Sequence, residues 1–372
     1  MNSSHNLSIL QGQCIVIFAY DVGFSIRIEE AERRITTIKE RDRIKRTRPA
    51  PAYFDYQPPP LRIIQEQTPI SVGTHQTLPT IETVLYDFGA MMVMYRISLQ
   101  GSFSNLLPLS EALYEHQGLW NASKTHVQHL LETLEDGVEK PKLSPFVEDY
   151  AIFHIIQTQP SITPAPFLEQ SGPTIAQILR CEDEPLSQQE IRDAIGPQIS
   201  FGTEDVTLID WNAALVIGKE MDDVCAVLEF ANVELVERRF LDHQLDNALD
   251  EAFRRFTKRP WSSYLWPASM DATLRHIAGL QMDSAMLFER VTNTLKLFGD
   301  QYLARVYRMA SQRFHFQSWD MSIVRKLETL ENLYGKMSDN AGNRRMEILE
   351  WIIIILIAIS IILPFIPGFP GY

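Results

Sequence analysis

The chain has 372 residues, 45% hydrophobic and 22% charged, enough to bury the cores of two compact domains. Its 34 Lys and Arg stand against 47 Asp and Glu, a net charge of −13, which argues against a dedicated nucleic-acid binder and against a DNA partner. Three isolated cysteines, Cys14, Cys181 and Cys225, supply neither a disulfide framework nor a CxxC metal site and fit a reducing compartment.

The first twenty residues contain no Lys or Arg, so neither a secretory signal nor a transit peptide is expected. Residues 13–28 are β-branched and aromatic and predict a strand, with Asp21 to Gly23 as a turn. Glu29 to Arg48 predicts a surface helix with a thin apolar stripe and a basic end. Prolines scattered over 49–79 predict an extended linker or insertion. Strand character returns over Ile81 to Leu99, where Asp87 to Gly89 punctuates a hairpin. A helix is expected over Leu109 to Glu135, a strand over Val147 to Ile156, a short helix over Gln188 to Ile195 and a strand over Leu208 to Ile217. Residues 10–218 therefore read as one mixed strand and helix domain of the α+β class.

After Gly218 the period becomes helical, and 219–345 reads as a helical region. Stretches are expected over 221–256, about 270–298, about 301–316 and 321–345. In the last, Ile323, Leu327, Leu330, Tyr334 and Met337 alternate in steps of four and three, an a/d seam. The seam serves either a helical hairpin within the chain or self-association into a homo-oligomer.

Residues 346–372 carry the clearest signal. From Trp351 to Tyr372 no residue is charged, and a run of isoleucines begins at Ile352. A helix of ~20 residues crosses a hydrocarbon core of ~30 Å, so a single transmembrane tail anchor in a lipid bilayer is expected here. Glu347, Glu350 and Trp351 would set its depth, and Ile352, Ile355 and Ile359 would meet lipid. Arg344 and Arg345 before the segment place the bulk of the chain on the cytoplasmic side.

The chain has no GxGxxG fingerprint, no Walker loop, no GxSxG elbow and no HExxH. No cofactor and no enzymatic activity are expected. His126 and His129 stand three apart on a helix, and Asp242, Asp246 and Asp250 stand in line, spacings open to a metal or to plain solvated faces. Arg254, Arg255, Lys258, Arg259 and Trp261 interleave base and aromatic groups, as lipid or RNA contacts do, or as a packed helix end does.

The run Met346-Glu347-Ile348-Leu349-Glu350-Trp351-Ile352-Ile353, with Phe298 to Tyr302 and Lys326 to Leu330, resembles the closing helices of the required-for-meiotic-nuclear-division family. Tyr86 to Val93 and Cys14 to Ile28 are similar to that family's strands. The resemblance implies a membrane-attached protein without known catalysis, whose mitochondrial relatives support translation near the inner membrane. Together these readings predict a non-enzymatic, tail-anchored scaffold that docks translation machinery (the ribosome) or another complex. The rival is a subunit of an oligomeric membrane channel or ion-handling assembly built through the C-terminal helices.

Overall fold

The computed structural model describes residues 7–35, 38–41, 59–258, 278–282, 284–286 and 301–362. It divides into two units, Met1–Phe240 with Leu287–Asp320 and Leu241–Met286 with Met321–Tyr372.

The first unit is built on a mixed sheet with helices on both faces. Its centre is β1 (Ser8–Asp21), antiparallel to β7 (Ala90–Ser102) on one side and to β9 (Glu148–Gln159) on the other. Outward from β7 come β6 (His75–Leu85), β4 (Leu61–Glu66) and β3 (Ile38–Arg41), with β5 (Ser71–Val72) also pairing β6. Outward from β9 come β12 (Ala213–Ile217), β11 (Val206–Ile209) and β10 (Gln198–Ile199). Every pair is antiparallel except β9 with β12. A separate two-stranded piece joins β2 (Ser25–Ile26) to β8 (Val138–Glu139).

The central strands are apolar throughout because both faces of the sheet are covered. Along β1, Cys14, Val16, Phe18 and Tyr20 enter one core, while Ile15, Ile17 and Ala19 enter the other. The first core is closed by α1 (Ile28–Arg34), α2 (Leu106–Leu113), α3 (Gln117–Leu134) and α4 (Pro164–Arg180), with α5 (Gln188–Ile195) packed beside α4. The second is closed by the start of α6 (Asp222–Lys258), by α7 (Gln301–Arg313) and by Phe316, the first residue of α8 (Phe316–Ile362).

Two charged clusters fasten these layers. Arg62 pairs with Glu82 at 2.9 Å and with Glu229 of α6 at 3.1 Å, and Arg96 joins the same Glu82 and Gln13. Arg180 of α4 reaches buried Asp210 at 3.1 Å and Asp193 of α5 at 2.6 Å, and Arg313 of α7 meets Asp193 at 3.2 Å.

In the second unit α6 and α8 lie side by side. Asp242 accepts from Ser322 and pairs with Lys326, which also pairs with Asp246. Residue numbers rise together along both helices, so they run parallel. Leu241, Leu245, Ala248, Ala252, Leu280, Ile323 and Leu330 are buried.

Several expectations are corrected. Among the described residues no helix is long and apolar enough to cross a membrane, which overturns the transmembrane segment of the expected fold and with it the tail anchor. The described apolar stretch, Trp351 to Ile362, is 12 residues, about 18 Å of helix against a core of about 30 Å. Extending it backward brings in Glu350, Glu347 and Arg345. Residues 363–372, which completed the expected span, lie outside the described residues.

The helix expected over 29–48 stops at Arg34, where Ile35 turns extended and β3 follows. Its basic end, 43–48, lies outside the described residues. The expected linker is in the sheet from Leu61 onward, as β4, β5 and β6. The helix expected over 109–135 is two helices, broken where Glu115 takes a φ of 49°. The strand expected over 208–217 is the hairpin of β11 and β12.

Candidate functional site

One recess follows from a mismatch of strand lengths. β9 pairs with β1 as far as Gln159, whereas β12 pairs with β9 only from Ala213–Ala151 to Ile217–Ile155. The two run parallel, and a crevice opens beyond their carboxyl ends, where ligands of parallel sheets are held.

Gly218 closes the last rung, its N–H donating to the Ile155 carbonyl at 3.0 Å. Its φ of +147° then turns the chain out of the sheet, a conformation that suits glycine. The Gly218 carbonyl accepts from His154 Nε2 at 2.9 Å, which fixes the proton on that nitrogen. Burial holds this imidazole below its usual range, so it stays neutral. Its Nδ1 has no hydrogen-bond partner among the described residues.

From Gly218 the chain passes Lys219 and Glu220 into α6. The opposite wall is the loop before β11, where the Asp205 carboxylate accepts from the backbone N–H of Phe201 at 2.7 Å and of Gly202. Tyr302 and Leu303 of α7 form the floor, and Phe201 lies edge-on to the Tyr302 ring at 5.3 Å. The open recess has a volume of about 750 Å³, in the range of ligand pockets. Among the described residues, Glu204, Asp205 and Glu220 border it together with the Lys219 ammonium.

A second recess of about 340 Å³ holds Cys181, Asn212, His116, Asp149 and Glu115. Its groups could suggest cysteine chemistry, but the hydrogen bonds oppose it. Asn212 donates to Cys181 Sγ at 2.8 Å, and the thiol in turn faces Ser110 Oγ at 3.0 Å, whose own proton goes to the Ile178 carbonyl. Burial pushes the Cys181 thiol up, away from the thiolate a nucleophile needs. His116 caps α3 through Nδ1, accepting from Leu119 N–H at 3.1 Å, and donates from Nε2 to the Ser71 carbonyl. It is engaged elsewhere. Burial and the Glu115 charge raise Asp149 above the usual carboxylate range.

The candidate contact residues whose side chains are described line neither recess. Arg254 is exposed on α6 and donates to the Asp250 carbonyl at 3.2 Å. Arg255 and Lys258 are on α6 with side chains outside the described set, and Arg259 and Trp261 lie outside the described residues. Ile323 and Leu330 are buried within the second unit and Leu327 is half-buried. The side chains of Tyr334 and Met337 are not among those described. Glu350, Trp351, Ile352 and Ile355 are exposed on α8, and the side chains of Glu347 and Ile359 fall outside the described set.

His126 is tied to Thr83 Oγ1 at 2.9 Å, while His129 is exposed and 3.9 Å from Glu132. The structure does not bring the two histidines to one ligand. Asp242 and Asp246 hold Lys326, and among the described residues no cluster of three or more His, Cys, Asp or Glu could bind a metal. Sequence reasoning missed the cleft altogether. Only Gly218, where the pattern changes from strand to helix, pointed toward it.

A family described as "Uncharacterized protein MJ0711, N-terminal domain" matches residues 11–223. The chain is similar to the uncharacterized protein MJ0711 of Methanocaldococcus jannaschii, with 23% identity over 242 residues, 63% of this chain and 71% of that one. No solved structure matches the chain. The matched region holds the ten strands of the main sheet (apart from the first residues of β1), the two-stranded piece, and most of the residues that line the β9–β12 cleft, but not Tyr302 and Leu303.

Proposed function

The chain belongs to the MJ0711 N-terminal domain family, and we propose, from its exposed surfaces, that it is a non-enzymatic docking scaffold held at a lipid surface. The first unit offers the β9–β12 cleft to a partner, and the far end of α8 rests in the interfacial layer without crossing it. One observation carries this reading. Seven consecutive apolar residues, Trp351 to Ile357, are each between 46% and 64% exposed at the end of a 47-residue helix.

Half-exposed Ile and Leu side chains gain on the order of 1 kcal/mol each on leaving water, several kcal/mol for the run. A patch of that kind marks a protein or membrane contact. The Trp at its edge is the residue type that settles at headgroup level. Lipid is favoured over protein because the run is apolar on every side of the helix.

The finer resemblance, to the required-for-meiotic-nuclear-division family, would make translation machinery the docked partner. The rival reading, a subunit of an oligomeric channel, requires a spanning helix from each copy, and the described part of α8 does not supply one. Flotation with liposomes tests the lipid contact. The full-length chain is expected to float and a chain ending at Glu350 to stay at the bottom. Equal behaviour of the two would refute the proposal.

A further inference from the structure

The cleft borders a stretch of sheet edge. Beyond Ile155, β9 continues through Gln157, Thr158 and Gln159, paired on one side to Gln11, Ile9 and Ser8 of β1. On the β12 side, among the described residues, no strand pairs with it past Ile155. Register shifts between Ile9 and Gly12 bend this end of the sheet, as bulges do near binding sites. Ile156, Gln157 and Thr158 line the cleft.

We propose that the cleft takes an extended, lysine- or arginine-containing segment of a partner protein as an added strand along Ile156 to Thr158. This deepens the docking reading and rests on it. Three features select the occupant. The strand edge supplies backbone hydrogen bonds, which an extended peptide satisfies whatever its sequence. Apolar walls at Phe201, Tyr302 and Leu303 accept alternate side chains, since successive residues of a strand point to opposite faces. Glu204, Asp205 and Glu220 beside Lys219, among the described residues and in a chain of net charge −13, favour cationic partners and repel phosphate backbones. At ~3.3 Å per residue, a segment of roughly three or four residues fits beside the exposed edge.

The test uses the full-length protein and a blocked, fluorescently labelled octapeptide of alternating lysine and valine. Anisotropy should report salt-sensitive binding, and hydrogen exchange should show new protection at the amides of residues 156–158. Replacing the exposed carboxylates, Glu204→Gln with Glu220→Gln, should weaken binding about fivefold at low salt, as two screened ion pairs would. A peptide of the same charge with proline in place of valine should lose binding. Equal binding of the proline peptide would reduce the cleft to an ionic surface and overturn the proposal. So would equal binding of an alternating glutamate–valine peptide, or no binding at all. Liposome flotation of the double variant should be unchanged, so loss of the peptide site and loss of the lipid contact are read separately.

Discussion

Among the described glycines, Gly89 is the one whose identity the fold demands most strictly. It ends the turn between β6 and β7 with a φ of +91°, and a Cβ there would stand 1.8 Å from the Gly23 carbonyl oxygen. Its own carbonyl accepts from Val22 N–H at 2.8 Å, locking this turn to the one after β1. Gly89→Ala is expected to cost about 3 kcal/mol, combining positive-φ strain with backbone displacement. Urea denaturation measures it, and a cost below about 0.5 kcal/mol would contradict the account.

His126 offers a residue-scale prediction in pH. Burial, and then the nearby His129, hold its imidazole down to about 4, below the ordinary 6.5. The unfolded chain therefore takes up the proton first as pH falls. Stability tied to this group is intact above about 6.5, declines as pH drops toward 4 and is flat below. His126→Gln keeps a partner for Thr83 and removes the titration, so the decline between pH 6.5 and 4 should become shallower. An unchanged slope would rule out a half-buried, neutral His126.

At the scale of elements, the Arg62, Glu82, Arg96 and Glu229 cluster joins β4, β6 and β7 to α6. Burial raises the Glu82 carboxyl, but the Arg96 and Arg62 guanidiniums more than offset it and hold it below the usual carboxylate range. Its stabilisation is therefore complete above the ordinary glutamate pKa and lost only as pH falls through the depressed one. Glu82→Gln leaves half-buried Arg96 without its carboxylate and half-buried Arg62 with Glu229, and should cost about 2 kcal/mol at pH 7. The difference from the parent should shrink in acid.

The elements also show what a single sequence carries. Short-range patterns were legible where one period or one turn decides the outcome. Gln188 to Ile195 is a helix with those ends, the hairpin turns at Asp87 to Gly89, and helical character begins after Gly218. The parts that failed depend on distant partners. Prolines over 49–79 suggested a linker, yet Leu61 and Ile63 are buried because β6 lies alongside to pair β4. The seam through Ile323 and Leu330 was legible as a period, but its direction was not. The Lys326 pairs with Asp242 and Asp246 set it, and they join positions about eighty residues apart. The cleft was invisible for the same reason, since it exists only because β12 stops short of the end of β9.

For the whole molecule, two surfaces carry the proposed role. One is an acidic cleft lined mostly by the part of the chain that matches its family and floored by Tyr302 and Leu303 beyond it, and the other is an apolar helix end outside the match. The apolar end decides whether the scaffold works at a lipid surface. Trp351, 64% exposed, is its natural reporter. The most direct measurement is quenching of tryptophan fluorescence by lipids brominated near the headgroup, comparing the full-length chain with Trp351→Phe. The account predicts quenching in the parent that falls markedly in Trp351→Phe, as a ring seated in the interface requires. Equal quenching of the two proteins, or none in either, would contradict the lipid contact and remove the membrane from the proposed function.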